Sequence, residues 1–369
     1  MGENRVEDNK VISKLRENVK AMSGYRAGKS IEDVIKKYNL NKIIKLSSNE
    51  NPYGASPRAL SVLRRFKNLH VYPREIGELI DKISEYLNVD RKRIVIGAGI
   101  DGILENMFKM FVNPGDEVII PVPTFPYYHT LSDIFNAKEV RIRRRSDFKI
   151  DEETLINSIS DKTKIIFICS PNNPTGNTED LKTVKSIVEN SECLVFIDEA
   201  YAEFSSKNLL KMLDYENVVI ARTFSKAFGL ANLRIGYAVM DEDLAKVYRK
   251  VNPPFSVSTI AMLMALESLR DIDYMLKCVR KIKAERERVY RKLLKMNIKV
   301  YPSEANFLFF KSPIRSSELV DELMKRGVIV RDCSCFIGCD EFSVRVSIGK
   351  RNENNMFLNA LRDVINQNA

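Results

Sequence analysis

The stretch KIIFICSPNNPTG (164–176) decides the fold, together with two stretches that follow it, CLVFIDEAY (193–201) and NVVIARTFSK (217–226). Each stretch begins with a short apolar run and ends in polar residues. Continuous apolar runs are typical of parallel strands that helices cover on both faces. Helix-like segments such as TVKSIVEN (183–190) lie between the runs. This alternation predicts βαβ units in a mostly parallel sheet.

The rest of the chain divides around this core. A length of 369 residues exceeds one ordinary domain. The alternation breaks at Asn252, and the stretch from Ser258 to about Met296 predicts one long bridging helix. IKVYPSEANFLFFK (298–311) and a final helix from Glu353 to about Ile365 predict a smaller α+β unit. We therefore expect an α/β fold with an N-terminal arm (1–40) joining the small domain, a large domain (41–259), and the bridging helix with the small C-terminal domain (260–369).

Composition and charge exclude several classes of protein. The chain is 44% hydrophobic and 29% charged, and no apolar run approaches the roughly 20 residues that span a bilayer. The charged N-terminus lacks the apolar core of a secretory signal, so we expect a cytoplasmic protein. The 59 basic and 49 acidic residues are interspersed, which indicates a solvated surface and no nucleic-acid partner. Even the densest basic run, Arg141 to Arg145, resembles an exposed strand face.

The six cysteines are read as reduced thiols rather than as a disulfide framework. Cys333, Cys335 and Cys339 lie close together in sequence, but their spacing is not the paired pattern of a zinc site. We expect no metal ion.

Polar residues that directly follow the predicted strands are the candidates for chemistry. In open α/β sheets, ligands bind beyond the carboxyl ends of the strands. Four loops fit this position: Gly97 to Gly102, SPNNPTG (170–176), Asp198 to Tyr201, and Thr223 to Lys226. The sequence therefore predicts one ligand site built from these loops.

Seven motifs in order resemble one family. They are SNENPYG (48–54), PTFPYY (123–128), SPNNPTG (170–176), DEAYAEF (198–204), TFSKAFGLANLRIGY (223–237), EANFLF (304–309) and VRVSIG (344–349). With them, the chain resembles the fold-type I pyridoxal-phosphate aminotransferases and, among these, the histidinol-phosphate aminotransferases. The resemblance implies the aspartate-aminotransferase-like fold, with a mostly parallel seven-stranded sheet flanked by helices and a smaller α+β domain. It also implies pyridoxal 5'-phosphate as the cofactor and a homodimer.

The resemblance assigns roles to residues at the strand ends. Lys226 would hold the cofactor as a Schiff base and carry a proton to and from the substrate. Asp198 would face the pyridinium nitrogen, although an aspartate at this position could also cap a helix. Tyr201 and Asn173 would bond the phenolic oxygen, and Phe125 would stack on the ring. Considered alone, Asn173 could be a turn former and Phe125 a core residue.

The phosphate of the cofactor needs donors and positive charge. The resemblance implies the backbone at Gly99, Ile100 and Asp101, at the start of a helix, together with Thr223, Ser225 and Arg234. The family more often has an acidic residue where this chain has Gly102, so the backbone role is the one carried over. Tyr53 would reach the phosphate in the neighbouring subunit.

The substrate residues implied by the resemblance are Arg345, Arg331, Tyr25 and Asn173. Arg345 would clamp the carboxylate of glutamate or 2-oxoglutarate, and the phosphate of histidinol phosphate would take the same place. The implied reaction is transamination between L-histidinol phosphate and 2-oxoglutarate in histidine biosynthesis. RDCSCFIG (331–338) also resembles threonine-phosphate decarboxylases, and aromatic amino-acid aminotransferases are a third reading. A catalytically idle regulator is disfavoured because Lys226 and Asp198 are present.

Overall fold

A computed structural model of the protein describes residues 10–22, 31–40 and 42–367. Tyr25 lies outside these residues. The strands are β1 Ile44–Lys45, β2 Ile94–Gly97, β3 Glu117–Val122, β4 Lys138–Arg143, β5 Thr163–Cys169, β6 Leu194–Asp198, β7 Val218–Thr223, β8 Gly236–Val239, β9 Phe307–Lys311, β10 Val328–Ile329, β11 Arg331–Asp332 and β12 Ser343–Ser347. The helices are α1 Glu17–Lys20, α2 Ile31–Tyr38, α3 Pro57–Arg65, α4 Gly77–Leu87, α5 Gly99–Phe111, α6 Tyr127–Phe135, α7 Glu152–Asn157, α8 Leu181–Glu189, α9 Glu242–Val251, α10 Thr259–Leu269, α11 Ile272–Lys295, α12 Ser316–Lys325 and α13 Arg351–Gln367.

A seven-stranded sheet organises the larger part of the chain, in the order β2-β8-β7-β6-β5-β3-β4. β8 runs antiparallel to both of its neighbours, and the other pairs are parallel. Every residue of β3, β6 and β7 is buried. The continuous apolar runs of the sequence therefore mark the covered centre of the sheet, as predicted, and the α/β fold is confirmed.

The C-terminal part forms smaller sheets. β12 pairs antiparallel with both β11 and β9, and β1 pairs in parallel with β10. The Tyr38 hydroxyl at the end of α2 donates a 2.5 Å hydrogen bond to Asp321 of α12. The end of the N-terminal arm thus contacts the C-terminal unit, while the domain bounds at residues 40 and 259 stay predictions.

The predicted bridging helix is two helices, so that part of the prediction is wrong. α10 ends at Leu269 and α11 begins at Ile272. α10 packs against α3 and α4, whereas α11 packs against α13. The two segments therefore pack against different parts of the chain.

The basic run after β4 is also only partly as predicted. Arg141 and Arg143 on the edge strand β4 are exposed, and so is Arg145. Arg144, directly after the strand, is buried with a relative exposure of 5%.

Within the described ranges, no helix is both long and apolar enough to cross a membrane.

Gly229 lies where the loop after β7 passes against the N-terminal loop of the large unit. Its φ is +71°, and an added Cβ would lie 2.5 Å from the carbonyl oxygen of Gly54. At Gly115, with φ +89°, an added Cβ would meet no described atom within 4 Å. Of these two glycines, Gly229 therefore combines a left-handed backbone with a close backbone approach, and Gly115 has the left-handed backbone alone.

We expect Gly229→Ala to lower the free energy of unfolding more than Gly115→Ala does. Both changes carry a left-handed backbone cost of about 1–2 kcal/mol, and Gly229→Ala adds a steric cost of about 1–3 kcal/mol. Urea denaturation followed by circular dichroism measures the difference. Equal losses in the two variants would contradict the assigned contact.

Candidate active site

A cavity of about 290 Å³ lies beyond the carboxyl ends of β5, β6 and β7, beside the three-stranded sheet. Its lining includes twelve residues singled out from the sequence: Ile100, Asp101, Phe125, Asn173, Asp198, Tyr201, Thr223, Ser225, Lys226, Arg234, Arg331 and Arg345. The structure thus brings an amine, a carboxylate and guanidinium groups from separate segments around one space.

Strand register explains why these groups meet. Cys169 of β5 pairs with Asp198 of β6, and Asp198 pairs with Ala221 of β7. The three strands therefore end at nearly the same level, and the loops that leave them carry Asn173 and Lys226 into the cavity. The parallel sheet sets the positions of residues that are distant in sequence.

The Lys226 amine is held in a low-polarity position. Its Nζ donates a 3.2 Å hydrogen bond to the carbonyl oxygen of Ser48. Burial and, after it, the positive charge of Arg345 lower the pKa of Lys226 to about 8. A larger fraction of this amine is neutral near pH 7 than for an ordinary lysine, and a neutral amine is the nucleophilic form.

Asp198 lies at the end of β6 as a buried carboxyl group. It accepts a 2.7 Å hydrogen bond from the Tyr128 hydroxyl and a 3.0 Å hydrogen bond from the Ala200 amide. Burial raises the pKa of Asp198 to about 6, against the lowering effect of these donors. A cationic group placed beside it would favour the ionised form, so the site suits a protonated ring nitrogen.

The opposite end of the cavity offers donors for an anion. α5 begins at Gly99, so the N-H groups of its first turn, including those of Ile100 and Asp101, face this end. No side chain caps the helix. Arg234 donates a 2.8 Å hydrogen bond to Asp101 and a 3.4 Å bond to the Ser225 hydroxyl. These donors fit a phosphate group.

Arg345 enters the cavity from β12. It donates to Asn173 Oδ1 at 2.5 Å and to the carbonyl oxygen of Ser47 at 2.6 Å. Its Nε is buried and has no hydrogen-bond partner within the described part of the chain. Arg331 pairs with Arg345 across β11 and β12, and its guanidinium lies 5.5 Å from the Phe336 ring centre. This edge of the cavity is therefore rich in positive charge.

Several site residues were not predicted from the sequence. Asn49 donates a 3.0 Å hydrogen bond to the Tyr201 hydroxyl and exchanges hydrogen bonds with Ser347 of β12. Tyr128 bonds Asp198, and Phe336 lines the cavity. Asn49 and Tyr128 fall inside the motifs SNENPYG and PTFPYY, which was the available signal.

Two of the predicted residues that the structure describes, Gly99 and Tyr53, do not line the cavity. An added Cβ at Gly99 would lie 3.1 Å from the Arg234 guanidinium, so this glycine packs against a residue of the cavity wall. Tyr53 accepts a 2.8 Å hydrogen bond from Tyr274 at its backbone oxygen, and the Lys281 Nζ lies 5.0 Å from its ring centre. Tyr25 falls in residues that the structure does not describe. The role of Tyr53 toward a second subunit stays a prediction.

The cysteine cluster contributes no metal site. All six cysteines are free thiols. Cys333 is buried beside Phe309 and Phe336, while Cys335 is exposed. In the described ranges, no three His, Cys, Asp or Glu side chains are grouped to hold a metal ion.

The set of groups fits a phosphorylated aromatic aldehyde. Lys226 supplies an amine that can bond to an aldehyde, and Asp198 supplies a carboxylate for a ring nitrogen. Arg234 and the first turn of α5 supply the anion donors, and the Phe125 ring lines the wall between them. Pyridoxal 5'-phosphate has these features in one molecule.

Comparison with known proteins supports the same reading. The sequence profile of the family "Aminotransferase class I and II" matches residues 41–361. Histidinol-phosphate aminotransferase 1 of Archaeoglobus fulgidus is 53% identical over 88% of this chain and 99% of its own length. Histidinol-phosphate aminotransferase of Methanocaldococcus jannaschii is 41% identical over 96% of this chain and 98% of its own.

A solved structure shows the same fold. The crystal structure of histidinol-phosphate aminotransferase from Sinorhizobium meliloti in complex with pyridoxal-5'-phosphate has a TM-score of 0.87 and 24% sequence identity. The match covers 97% of this chain and 99% of that one. Together, the profile match and the close relatives place the chain in a family: it belongs to the class I and II aminotransferases.

Proposed function

We propose that the protein transfers an amino group between L-histidinol phosphate and 2-oxoglutarate, giving imidazole acetol phosphate and glutamate, with pyridoxal 5'-phosphate as cofactor. The observation that carries the proposal is the convergence of Lys226, Asp198 and Arg234 on one cavity beside Arg345. The names of relatives at 53% and 41% identity support the choice of substrate.

When bound, the cofactor supplies an aldehyde for covalent attachment and a ring that withdraws electrons from the substrate carbon. Arg234, the Ser225 hydroxyl and the first turn of α5 bind its phosphate. Asp198, oriented by Tyr128 and the Ala200 amide, holds a proton on the ring nitrogen. These contacts would hold the cofactor at its phosphate and at its ring nitrogen.

Tyr201 and Asn173 contribute the remaining polar contacts. Both line the cavity near Lys226. The Tyr201 hydroxyl accepts from Asn49, so its own proton remains available for donation. Burial raises the pKa of Tyr201 above its ordinary value, which keeps the hydroxyl protonated. Tyr201 therefore acts as a donor to an oxygen anion of the bound ring.

With the cofactor and substrate bound, Lys226 would serve as the proton carrier at the reacting carbon. Its pKa near 8 makes the Nζ able both to accept and to release a proton at neutral pH. The Ser48 carbonyl, 3.2 Å away, gives the amine a defined resting position.

Arg345 and Arg331 bind the anionic end of either substrate. Each substrate presents one anion to this end, a carboxylate in 2-oxoglutarate and a phosphate in histidinol phosphate. Arg345 lines the cavity, and its hydrogen bonds to Asn173 Oδ1 and to the carbonyl oxygen of Ser47 orient the guanidinium. A guanidinium binds both groups with paired hydrogen bonds.

We further propose a homodimer in which Tyr53 reaches the neighbouring site. Leu69, Val71 and Tyr72 are 79%, 55% and 75% exposed, and Phe255, 59% exposed, stacks on Tyr72 at 4.8 Å. Large exposed apolar patches mark interaction surfaces. Sedimentation of the wild-type protein at the mass of a single chain would contradict the dimer.

The free thiols also favour the reducing cytoplasm as the location of the protein.

Lys226→Ala should abolish both the yellow colour of the purified protein and its turnover, because the covalent link to the cofactor is lost. Lys211→Ala, at an exposed lysine of the same unit, is the control and should keep both. Visible absorbance and glutamate production measure the effects. A wild-type protein that stays colourless with added pyridoxal phosphate would overturn the proposal.

Attachment of added pyridoxal phosphate to the cofactor-free protein should depend on pH. A neutral amine is required, so the rate should rise ~tenfold per pH unit below the pKa of Lys226 and level off above about 8. Arg345→Gln should move the bend to higher pH, since the guanidinium is the second cause of the lowered pKa. A wild-type bend near pH 10 would refute the lowered pKa.

Arg345→Lys should raise KM for both histidinol phosphate and 2-oxoglutarate by about 10- to 100-fold, because a forked charged donor is lost. Arg315→Lys, at an exposed arginine paired with Glu341, should leave KM unchanged. Glutamate formation is the assay. If the wild type instead releases carbon dioxide from threonine phosphate and forms no glutamate, it is a decarboxylase.

A further inference from the structure

A buried ion pair lies behind the cavity and outside its lining. Arg144 NH1 donates to Glu179 Oε1 at 2.6 Å, and each side chain is 1% exposed. A buried charge pair is retained at a desolvation cost, so all of its hydrogen bonds must be satisfied. The backbone amide of Ile150 donates to the second Glu179 oxygen at 3.2 Å. The pair is thus a fully bonded element of the core.

Arg144 uses its remaining donors to join separate segments. It donates to the carbonyl oxygens of Pro123 at 3.1 Å and Phe148 at 3.0 Å. It also donates to Asn172 Oδ1 at 3.2 Å. One guanidinium therefore ties together the loop after β3, the turn after β4 and the loop after β5.

A second set of hydrogen bonds joins the loop after β3 to the loop after β5, next to the cavity. The Thr124 hydroxyl donates a 2.9 Å hydrogen bond to Asn172 Oδ1. The Asn172 Nδ2 donates back to Pro123 O at 3.0 Å and to the Thr175 hydroxyl at 2.7 Å. Thr124 and Asn172 are both buried, with exposures of 3% and 0%. The loops are linked in both directions.

The residues that directly follow Thr124 and Asn172 in the sequence line the cavity. Phe125 follows Thr124, and Asn173 follows Asn172; both line the site. We propose that Thr124, Asn172 and Arg144 are positioning residues, which set the separation between the Phe125 ring and the Asn173 amide so that both contact the same cofactor. This inference rests on the proposed function, because it assumes that pyridoxal phosphate binds between them. Displacements of about 1 Å at such contacts are costly.

Thr124→Val tests the proposal with little change of shape. The variant loses the hydroxyl, yet Asn172 Oδ1 keeps its bond from Arg144, so no buried acceptor is left unpaired. We expect the affinity of the cofactor-free protein for pyridoxal phosphate, measured by absorbance titration, to fall about three- to tenfold. Thr124→Ser, which restores a hydroxyl, should recover most of the affinity. Arg144→Lys, which loses the forked contacts, should bind more weakly than Thr124→Val.

Thr163→Val is the matched control. Thr163 is also buried, and its hydroxyl accepts a 3.0 Å hydrogen bond from the Ser160 amide, but it lies at the opposite end of β5. This variant should lower Tm as Thr124→Val does and leave cofactor affinity unchanged. Cofactor affinity of Thr124→Val within ~twofold of the wild type, or an equal loss in Thr163→Val, would overturn the positioning role. A wild type that binds no cofactor would overturn the proposed function as well.

Discussion

Burial of the Lys226 amine among other charged groups is the condition on which the site depends. An amine in bulk water stays protonated at neutral pH, whereas burial and Arg345 bring the pKa of Lys226 to about 8. The same cavity holds Asp198, whose pKa burial raises to about 6. These opposite shifts leave an amine and a carboxyl group that both exchange protons near neutral pH. A cationic ring placed beside Asp198 would complete its charge balance, which links cofactor binding to the ionisation of the site.

The seven-stranded sheet brings the residues of the site together. Parallel strands bring the ends of β5, β6 and β7 to one edge, and their apolar residues fill the core. β12 then delivers Arg345 from the smaller sheet, where it bonds Asn173 of the large unit. The cavity is thus closed by side chains from two sheets. The buried Arg144–Glu179 pair stiffens the loops from behind without occupying the cavity.

Much of the fold followed from local patterns, because continuous apolar runs and their polar ends depend only on burial. The α/β class, the aminotransferase activity and the cofactor are confirmed by the sheet and by the family membership. Arg144 was wrongly placed on an exposed face, since a run of arginines does not reveal that one of them meets Glu179 from 35 residues away. The break between α10 and α11 was missed because it depends on which neighbours each segment packs against. Tyr128 was missed as a partner of Asp198 because the contact spans 70 residues.

Two substrates that differ in shape must use the same anion site in alternate halves of the reaction. Under the proposed function, Arg345 would bind either a carboxylate or a phosphate, so this residue would provide affinity but little discrimination between them. We expect discrimination to arise where the substrates differ, at the part of the wall formed by Phe336, whose ring centre lies 5.5 Å from the Arg331 guanidinium. Arg331 lies in β11, and Phe336 lies in the segment between β11 and β12, which also carries the buried Cys333. Because Phe309 of the neighbouring strand packs in the same apolar cluster, the shape of this wall is set by the small sheet. The small sheet therefore carries Arg345 and the wall proposed for substrate choice, whereas Lys226 and Asp198 belong to the seven-stranded sheet and its loops.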